Sequence, residues 1–540
     1  MRLLKAMMAL QAEEGAVTDA ALQDLARQER VPLYRLQGLR SFFPVFRERA
    51  SESRQLEVCR DVVCRMAAGG DPVKQAGELL AGRDDIQIRP VSCLGQCDRA
   101  PAAMLDHVPV RGDTAALREL AGGHGPTPMP VQPGSRAWPT DPYDSQDSQY
   151  ATVGALAREG RPDDVIQALK DAGLRGLGGA AFPTGMKWDF TRRAAGETKY
   201  VICNADESEP GTFKDRMILE ELPHLVIEGM LIGAWVIGAR QGIIYLRHEY
   251  VQARQQLQAA IADAHHLGLL GPDAFGPDQG FELEVFVSPG GYIMGEETAL
   301  LEALEDRRGE PRNKPPFPTT SGLRGQPTLI NNVETFAAVP VICTRGADWW
   351  ASQGAGEHKG LKFVSVSGDV AEPGVHCVPW GTTAREVLDR CGGIAGGRRL
   401  KAYSPGGAST SFLPPDKLDT PLDFEAMQSA GSALGTGAMV FVGEGRDLLD
   451  VTLAQLRFFR NESCGKCVPC RIGSHKAVEM VEQARRGASA VPPGSLEALH
   501  QTLARTSICG LGQVALLPLV DALRSFPDEP SLNPLRGEQA

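Results

Sequence analysis

Apolar residues recur with different periods along this 540-residue chain, and the changes of period divide it. Near the start, Leu22, Leu25 and Ala26 fall at helical spacing after Thr18, a residue suited to capping a helix. Residues 1–48 therefore read as short helices. Ile86 to Val91 (IQIRPV) is strand-like and runs directly into Cys93, which predicts ligand positions on loops after strands. Between about 151 and 345, strand-like KYVICNA (Lys199 to Ala205) and GIIYL (Gly242 to Leu246) interchange with helical stretches such as Tyr250 to Ala264, an α/β pattern. A smaller α/β unit, 360–443, begins with alternating LKFVSVSG and ends with AMVFVG. From 446 to 526 the helical period returns: Leu449, Leu453 and Leu456 share a face, followed by Val478 and Val481, then Leu499 and Leu503. This reads as a helical bundle. Residues 123–148 are rich in Gly, Pro, Ser and Asp without apolar periodicity, so a linker is expected over 123–150. The tail from Pro527 reads as irregular.

Composition changes this picture little. A chain of this length holds about three or four domains at roughly 100–200 residues each. Hydrophobic content of 42% and charged content of 23% are those of a soluble globular protein, and the net charge of −11 argues against nucleic-acid binding. The longest uncharged apolar run, Gly229 to Ala239, lies between Glu228 and Arg240 and is too short to span a bilayer. The early apolar stretch, Ala6 to Leu10, is too short for a signal sequence. No direct membrane insertion and a reducing cytoplasm are expected.

The chemistry sits in eight of the twelve cysteines. Cys464, Cys467 and Cys470 form C-x2-C-x2-C in ESCGKCVPCRIG, with Cys509 in SICGLG as a remote fourth. Such a triplet with a distant partner suits a four-iron cluster; structural zinc, the rival, more often uses two C-x2-C pairs. Cys59, Cys64, Cys93 and Cys97 are spaced C-x4-C-x28-C-x3-C. A two-iron cluster and zinc both suit that spacing; Gly95 between two ligands favours the former. Disulfides fit poorly, because the cysteines cluster at metal-ligand spacing in a long chain.

Between the cysteine groups lies GLRGLGGAAFPTGMKW (Gly173 to Trp188). Its glycines would let backbone amides approach a phosphate or a flat ring, and Lys187 could neutralise an anion. It is not a G-x-G-x-x-G fingerprint. CNADESEPGTFKDR follows a strand and crowds Asp206, Glu207 and Glu209 beside Asn204; such runs are commonly solvated acidic turns, yet they can also accept ribose and ring-amide hydrogens. PGGYIMGEETALLEALE adds Glu296 and Glu297, RGEPRNKPPFP adds Lys314 and Phe317, and INNVET adds Asn331 and Asn332.

Taken together, these strings resemble a known family. From about 151 to 526 the chain is similar to the flavin-bearing, NADH-oxidising subunit of respiratory complex I and to the diaphorases of soluble NAD-linked hydrogenases and formate dehydrogenases. From 1 to 122 it resembles the partner subunit with a thioredoxin-like fold and a two-iron cluster. The resemblance implies a multi-domain α/β protein: a helical segment with a thioredoxin-like [2Fe-2S] domain (1–122), a Rossmann-like FMN/NAD domain (151–345), a ubiquitin-like domain (360–443) and a four-helix [4Fe-4S] domain (446–526). It implies that Gly176, Gly178, Gly179, Lys187, Asn204, Asp206, Tyr292, Glu296, Asn331 and Asn332 hold FMN. Glu207, Glu209, Glu297 and Lys314 would face NADH, with Phe182, Phe190 and Phe317 stacking on adenine. Cys464, Cys467, Cys470 and Cys509 would ligate the four-iron cluster, and Cys59, Cys64, Cys93 and Cys97 the two-iron cluster. Met294 stands where many relatives have cysteine, Leu177 where arginine is frequent, and Ala181 where glycine is frequent. Cys203, Cys343, Cys377 and Cys391 are left over and are expected to be buried small hydrophobes.

The implied chemistry is hydride exchange with NAD(H) at FMN, joined to single-electron relays, without a side chain acting as general acid or base. No molybdopterin or nickel constellation is present, so the oxidation of another substrate falls to a partner. GLRGLGG, SVSGDVAEPGV, PGGAS and SICGLGQ, with the fused architecture, look most like the beta subunit of a molybdenum- or tungsten-dependent formate dehydrogenase. Its partner would be a large molybdopterin, iron–sulfur, formate-oxidising subunit, with a higher oligomer of that heterodimer open. The diaphorase of an NAD-reducing hydrogenase and the NADH dehydrogenase part of complex I are the alternatives within this chemistry. A structural zinc scaffold is the alternative outside it.

Overall fold

The computed structural model describes residues 1–129 and 137–536. The chain opens with helices Arg2–Glu14, Asp19–Glu29 and Leu33–Phe42. Thr18 caps the second: its hydroxyl accepts the Ala21 amide at 3.2 Å, and Leu22, Leu25 and Ala26 turn inward.

The first sheet comprises β1 (Arg54–Cys59), β2 (Ile86–Val91), β3 (Ala102–Leu105) and β4 (Val108–Arg111), in the order β2-β1-β3-β4. β1 runs parallel to β2 and antiparallel to β3. The expectation that its cysteines occupy loops after strands holds only for Cys93. Cys59 is the last residue of β1, Cys64 lies on the helix Val62–Ala68, and Cys97 opens a 3-10 turn. The single strand visible in the apolar pattern led to Cys93 alone, so the other three settings were not legible.

The second sheet is wholly parallel: β5 (Tyr200–Ala205), β6 (Gln241–Arg247), β7 (Glu282–Ser288) and β8 (Thr328–Asn332), in the order β7-β6-β5-β8. The apolar run at 229–239 falls mostly within the helix Pro223–Ile237, which is buried nearly all round because it lies between the sheet and the helix Val333–Arg345. Gly229 allows the close approach: a Cβ there would collide with the Phe336 carbonyl. No described helix is long and apolar enough to cross a membrane.

The third sheet joins β9 (Leu361–Gly368), β10 (Gly374–Pro379), β11 (Leu400–Ser404) and β12 (Ala438–Gly443) in the order β10-β9-β12-β11, with β9 and β12 parallel. Helices Leu448–Glu462, Val468–Arg485, Ser495–Thr506, Gly510–Val514 and Leu517–Ser525 follow, with Leu449, Leu453, Leu456, Val478, Val481 and Leu503 buried.

Two regions read as irregular are more ordered than their composition suggested. In the tail, Pro530–Leu535 forms a 3-10 segment anchored by buried Leu532 and Leu535. Part of the expected linker, 130–136, lies outside the described residues. On one side of it Pro128 bridges Val110; on the other, the Trp138 indole donates to Glu221 at 2.6 Å and the Tyr143 hydroxyl donates to Glu228. Isolated aromatic anchors carry no periodicity, which is why the pattern missed them.

Candidate functional site

In the parallel sheet β6 and β7 lie to one side of β5, and β8 to the other. Chain connections diverge at the carboxyl ends of β5 and β8, where open α/β sheets form ligand crevices. A cavity of about 360 Å³ opens there. Asn204 and Asp206 reach it from the end of β5, and Asn332 from the end of β8. Gly178 and Gly179 form part of its wall. Gly178 is required by packing, since a Cβ would stand 2.9 Å from the Asn332 Cβ; Gly179 is required by its φ of +107°. A glycine-walled crevice of this size, with a few polar groups in a largely apolar lining, suits a flat cofactor with a phosphate.

The predicted FMN residues divide between wall and support. Asn204 donates to the Gly295 carbonyl at 2.8 Å, beside Tyr292, whose hydroxyl donates to Glu209 at 2.6 Å. Glu296 caps the helix Glu297–Leu304, accepting the Thr298 and Ala299 amides at 2.9 Å each. All these groups border the cavity. Gly176, Lys187 and Asn331 stand behind the wall. The Asn331 side-chain Oδ1 accepts the Trp188 indole N–H at 3.2 Å, and the Gly176 amide donates to the Phe182 carbonyl at 2.9 Å, closing the glycine loop. Thr212, Lys214, Asp215, Ser409 and Thr436 also line the cavity and were missed. Ser409 and Thr436 come from the third-sheet region, more than 200 residues distant from Asp206, and no spacing signal connects them.

Burial governs the acids here. It pushes the Asp206 carboxyl well above the usual carboxylate range and raises Glu209 against the pull of its hydrogen bonds from Tyr292 and Ser409. Burial, with the neighbouring Asp215 charge, brings Glu207 up to about 7. The Glu207 carboxylate accepts the Asp215 and Arg216 amides at 2.7 and 3.0 Å and the Tyr250 hydroxyl at 2.7 Å. Glu209 is likewise engaged, by Tyr292 and by the Ser409 amide at 2.6 Å.

Beside the cavity, Glu297 lies between two ammonium groups, Lys314 at 2.8 Å and Lys187 at 3.4 Å. Burial raises its carboxyl, but the two lysines outweigh burial and hold it below the usual range. Lys187 also donates to the Ile330 carbonyl at 2.6 Å, which fixes it on this side. Phe182, Phe190 and Phe317 are 44%, 47% and 55% exposed. Phe182 and Phe190 lie 6.4 Å apart, forming an open aromatic face next to the Lys–Glu pair.

The cysteines assemble as two sets. Cys93 and Cys97 place their sulfurs 3.5 Å apart, and Cys59 is hydrogen-bonded to Cys64; all four are buried. Two close pairs suit a cluster in which each of two irons takes two thiolates. The Gly95 and Ala102 amides donate to Cys93 and Cys64 at 3.4 Å. The Cys97 thiol, against burial and aided by Arg247, brings Cys93 down to about 7. At the other end of the chain, Cys467 and Cys509 are the N-cap residues of the helices Val468–Arg485 and Gly510–Val514, and Cys470 lies in the first turn of the former. Helix N-termini favour thiolates and anionic clusters. Cys509 also borders the cavity at the ends of β5 and β8. Of the leftover cysteines, Cys203 and Cys391 are buried, as expected, whereas Cys343 and Cys377 are half-buried.

Comparison with known proteins follows the same divisions. Residues 169–341 match the Nuo51 FMN-binding domain, 450–531 the iron–sulfur binding region of NADH-ubiquinone oxidoreductase-F, and 1–117 the thioredoxin-like [2Fe-2S] ferredoxin. The F subunit of NADH-quinone oxidoreductase of Escherichia coli is 44% identical over 375 residues, 68% of this chain and 84% of that protein. The chain belongs to the NADH-quinone oxidoreductase F family. Within it, the HndC subunit of the NADP-reducing hydrogenase of Solidesulfovibrio fructosivorans is 41% identical over 370 residues, 68% of this chain and 75% of that one. A crystal structure of an NAD+-reducing [NiFe]-hydrogenase superposes with a TM-score of 0.87 at 31% identity, covering 99% of this chain and 94% of that chain. This member of the oxidoreductase F family is thus a flavoprotein fused to a thioredoxin-like [2Fe-2S] domain, with FMN, [4Fe-4S] and [2Fe-2S] as cofactors and NAD as substrate. The zinc scaffold left open by cysteine spacing is set aside.

Proposed function

We propose that this chain is the diaphorase subunit of an NAD-linked formate dehydrogenase, reducing NAD+ with electrons from a molybdopterin-bearing partner in the cytoplasm. The observation that supports the diaphorase reading is that Cys509, assigned in this proposal to the four-iron cluster, lines the cavity assigned to flavin. Flavin, when bound, exchanges hydride with NAD(H) and single electrons with iron–sulfur clusters. The chain's own residues do the rest. Gly178, Gly179, Asn204, Asp206, Tyr292, Glu296 and Asn332 form the cofactor's cradle, with Gly176, Lys187 and Asn331 bracing it from behind. Burial pushes the Asp206 carboxyl well above the usual carboxylate range, which favours its neutral form. Glu297 and Lys314 orient the nicotinamide nucleotide, and Phe182, Phe190 and Phe317 stack its adenine. Glu207 and Glu209 shape the pocket from behind their own hydrogen bonds. Cys464, Cys467 and Cys470 complete the four-iron site, and Cys59, Cys64, Cys93 and Cys97 hold the two-iron cluster.

Formate as the partner's substrate is supported by the strings GLRGLGG, SVSGDVAEPGV, PGGAS and SICGLGQ and by the fusion of both cluster-bearing parts in one chain. The second reading, a hydrogenase diaphorase, is favoured by the near-complete overlay, N-terminal domain included, on the NAD+-reducing hydrogenase structure. Anaerobic affinity capture from the native host decides between them. Formate-driven NAD+ reduction with a large molybdopterin subunit in the complex supports the proposal; hydrogen-driven reduction or membrane-bound partners overturn it.

A further inference from the structure

Five carboxylates border the cavity at the ends of β5 and β8: Asp206, Glu207, Glu209, Asp215 and Glu296. Among the residues lining it, one carries a cationic side chain, Lys214. Its position in the string NADESEPGTFKDR gave no hint of this, because a lysine beside an aspartate reads as a solvated surface pair. Here Lys214 is fully buried at the start of the helix Lys214–Glu221.

An ammonium has three hydrogens to donate. One goes to Asp215 Oδ1 at 2.7 Å in a hydrogen bond, and a second faces Glu334 Oε2 at 2.9 Å in an ion pair. The third has only Asn332 Oδ1, at 3.4 Å, and that oxygen already accepts the Glu334 amide at 3.0 Å. A bond of that length is weak. Lys362, also buried, shares Glu334 at 2.6 Å, so Lys214 is not the sole counter-charge to that carboxylate. Asn332 Nδ2 holds Asp215 from the opposite side at 2.6 Å. Lys214, Lys362, Asp215 and Glu334 together are neutral. Without Lys214 the wall would present an uncompensated negative charge to a cofactor that is itself an anion.

We propose that Lys214 is a cofactor-binding cation of the flavin site, donating its weakly engaged third N–H to a negatively charged oxygen of FMN. This rests on FMN lying in the cavity described above. Two parts of FMN carry such oxygens: the phosphate, and the pyrimidine end of the ring, where charge gathers on reduction. Either is stabilised by a fixed buried cation that needs no reorganisation.

The test uses the full chain, reconstituted anaerobically, with three variants. Lys214→Met removes the charge. Lys214→Met with Asp215→Asn removes the ion pair together, so no carboxylate is stranded. Lys214→Arg keeps the charge. Affinities for FMN and riboflavin are read by flavin fluorescence, and the flavin midpoint potential by spectroelectrochemistry. The double variant should bind FMN about tenfold more weakly or worse, the size of a lost charged hydrogen bond, with Lys214→Arg recovering most of it. Unchanged riboflavin affinity assigns the contact to the phosphate. A matching loss for riboflavin, with a lowered midpoint potential, assigns it to the ring. A folded double variant with FMN affinity and potential within about twofold of the parent overturns the proposal. Gly178→Leu, which fills the cavity, separates the two levels. If that protein folds and keeps FMN, the cavity is not the flavin site and both readings fall. If it loses FMN while the Lys214 variants bind normally, only the role of Lys214 falls.

Discussion

Arg216 and Asp98 meet in a buried ion pair, Nη2 to Oδ2 at 2.7 Å, where the thioredoxin-like region abuts the flavin domain. Both side chains are almost entirely enclosed. Arg216 also donates to the Gln96 side chain, so it grips residues on both sides of Cys97. Nearby, Arg247 donates to the Cys93 carbonyl at 2.6 Å and to the Glu207 carbonyl. The Cys93–Cys97 loop is therefore held against the 200–250 region by guanidinium groups rather than by apolar packing alone.

Removing one member of that pair strands the other. Arg216→Met should destabilise the docked N-terminal region by about 3–5 kcal/mol, read as a lower denaturation midpoint and a diminished two-iron signal in electron paramagnetic resonance. Adding Asp98→Asn should recover part of the loss. No change in the single variant would mean that the pair does not hold the domains together.

Glu297 is predicted to act on nucleotide, not on flavin. Glu297→Gln should raise the KM for NADH roughly tenfold, the scale of one charged hydrogen bond, while FMN stays bound. Flavin loss would contradict the assignment. Its charge also has a stated pH window. Lys187 and Lys314 hold the folded pKa below the unfolded value, so its ionised form contributes stability above the ordinary carboxylate range and loses it as pH falls through the depressed pKa. Between pH 6 and 8 the KM should therefore show no inflection from this group, and a KM titration over that range checks it.

The four-iron site depends on a glycine as much as on its thiolates. A Cβ on Gly512 would stand 2.5 Å from the Ser507 hydroxyl and 2.9 Å from the Cys470 Cβ. Gly512→Ala should therefore displace Cys470 and lower four-iron occupancy, measured by iron content and resonance signal. Cys509→Ala should abolish that signal while NADH still bleaches the flavin. An intact signal in Cys509→Ala would remove it from the ligand set.

Ala181 adopts φ +56° in the glycine loop, a left-handed conformation that costs a residue with a Cβ roughly 1–2 kcal/mol. Its carbonyl accepts Arg175 Nε at 2.9 Å, which holds the turn in place. Ala181→Gly relieves the strain but loosens the unfolded chain by about 0.4–1 kcal/mol. A net gain of about 0.5–1 kcal/mol is expected, seen as a thermal transition of the flavin domain higher by about 2 °C. A lowered transition would show that the strain is smaller than the entropy lost.

Much of this protein is legible in its sequence because the determining interactions are local. Thr18 caps its helix, Leu449 and Leu453 face inward at helical spacing, and β5 is a short, almost continuously buried run legible as a strand. Cysteine spacing works for the same reason: Cys464, Cys467 and Cys470 lie on one short loop and helix start, so the thiolates a cluster needs are already neighbours. The motif strings carried the family, and with it the flavin and iron–sulfur cofactors.

Tertiary structure decided what depends on distant segments meeting. Lys187 is held by the Ile330 carbonyl and Glu297, both more than 100 residues along the chain. The Glu207 carboxylate at the cavity is held by the Tyr250 hydroxyl and two backbone amides. Ser409 and Thr436 join a cavity begun more than 200 residues earlier, and Lys214 becomes its lining cation only because Glu334 and Asn332 close over it. Local sequence sets which conformations a segment prefers. Which charges are buried, which are paired and which are left facing a cavity is set by burial and by partners far along the chain, and those exist only once the fold has closed.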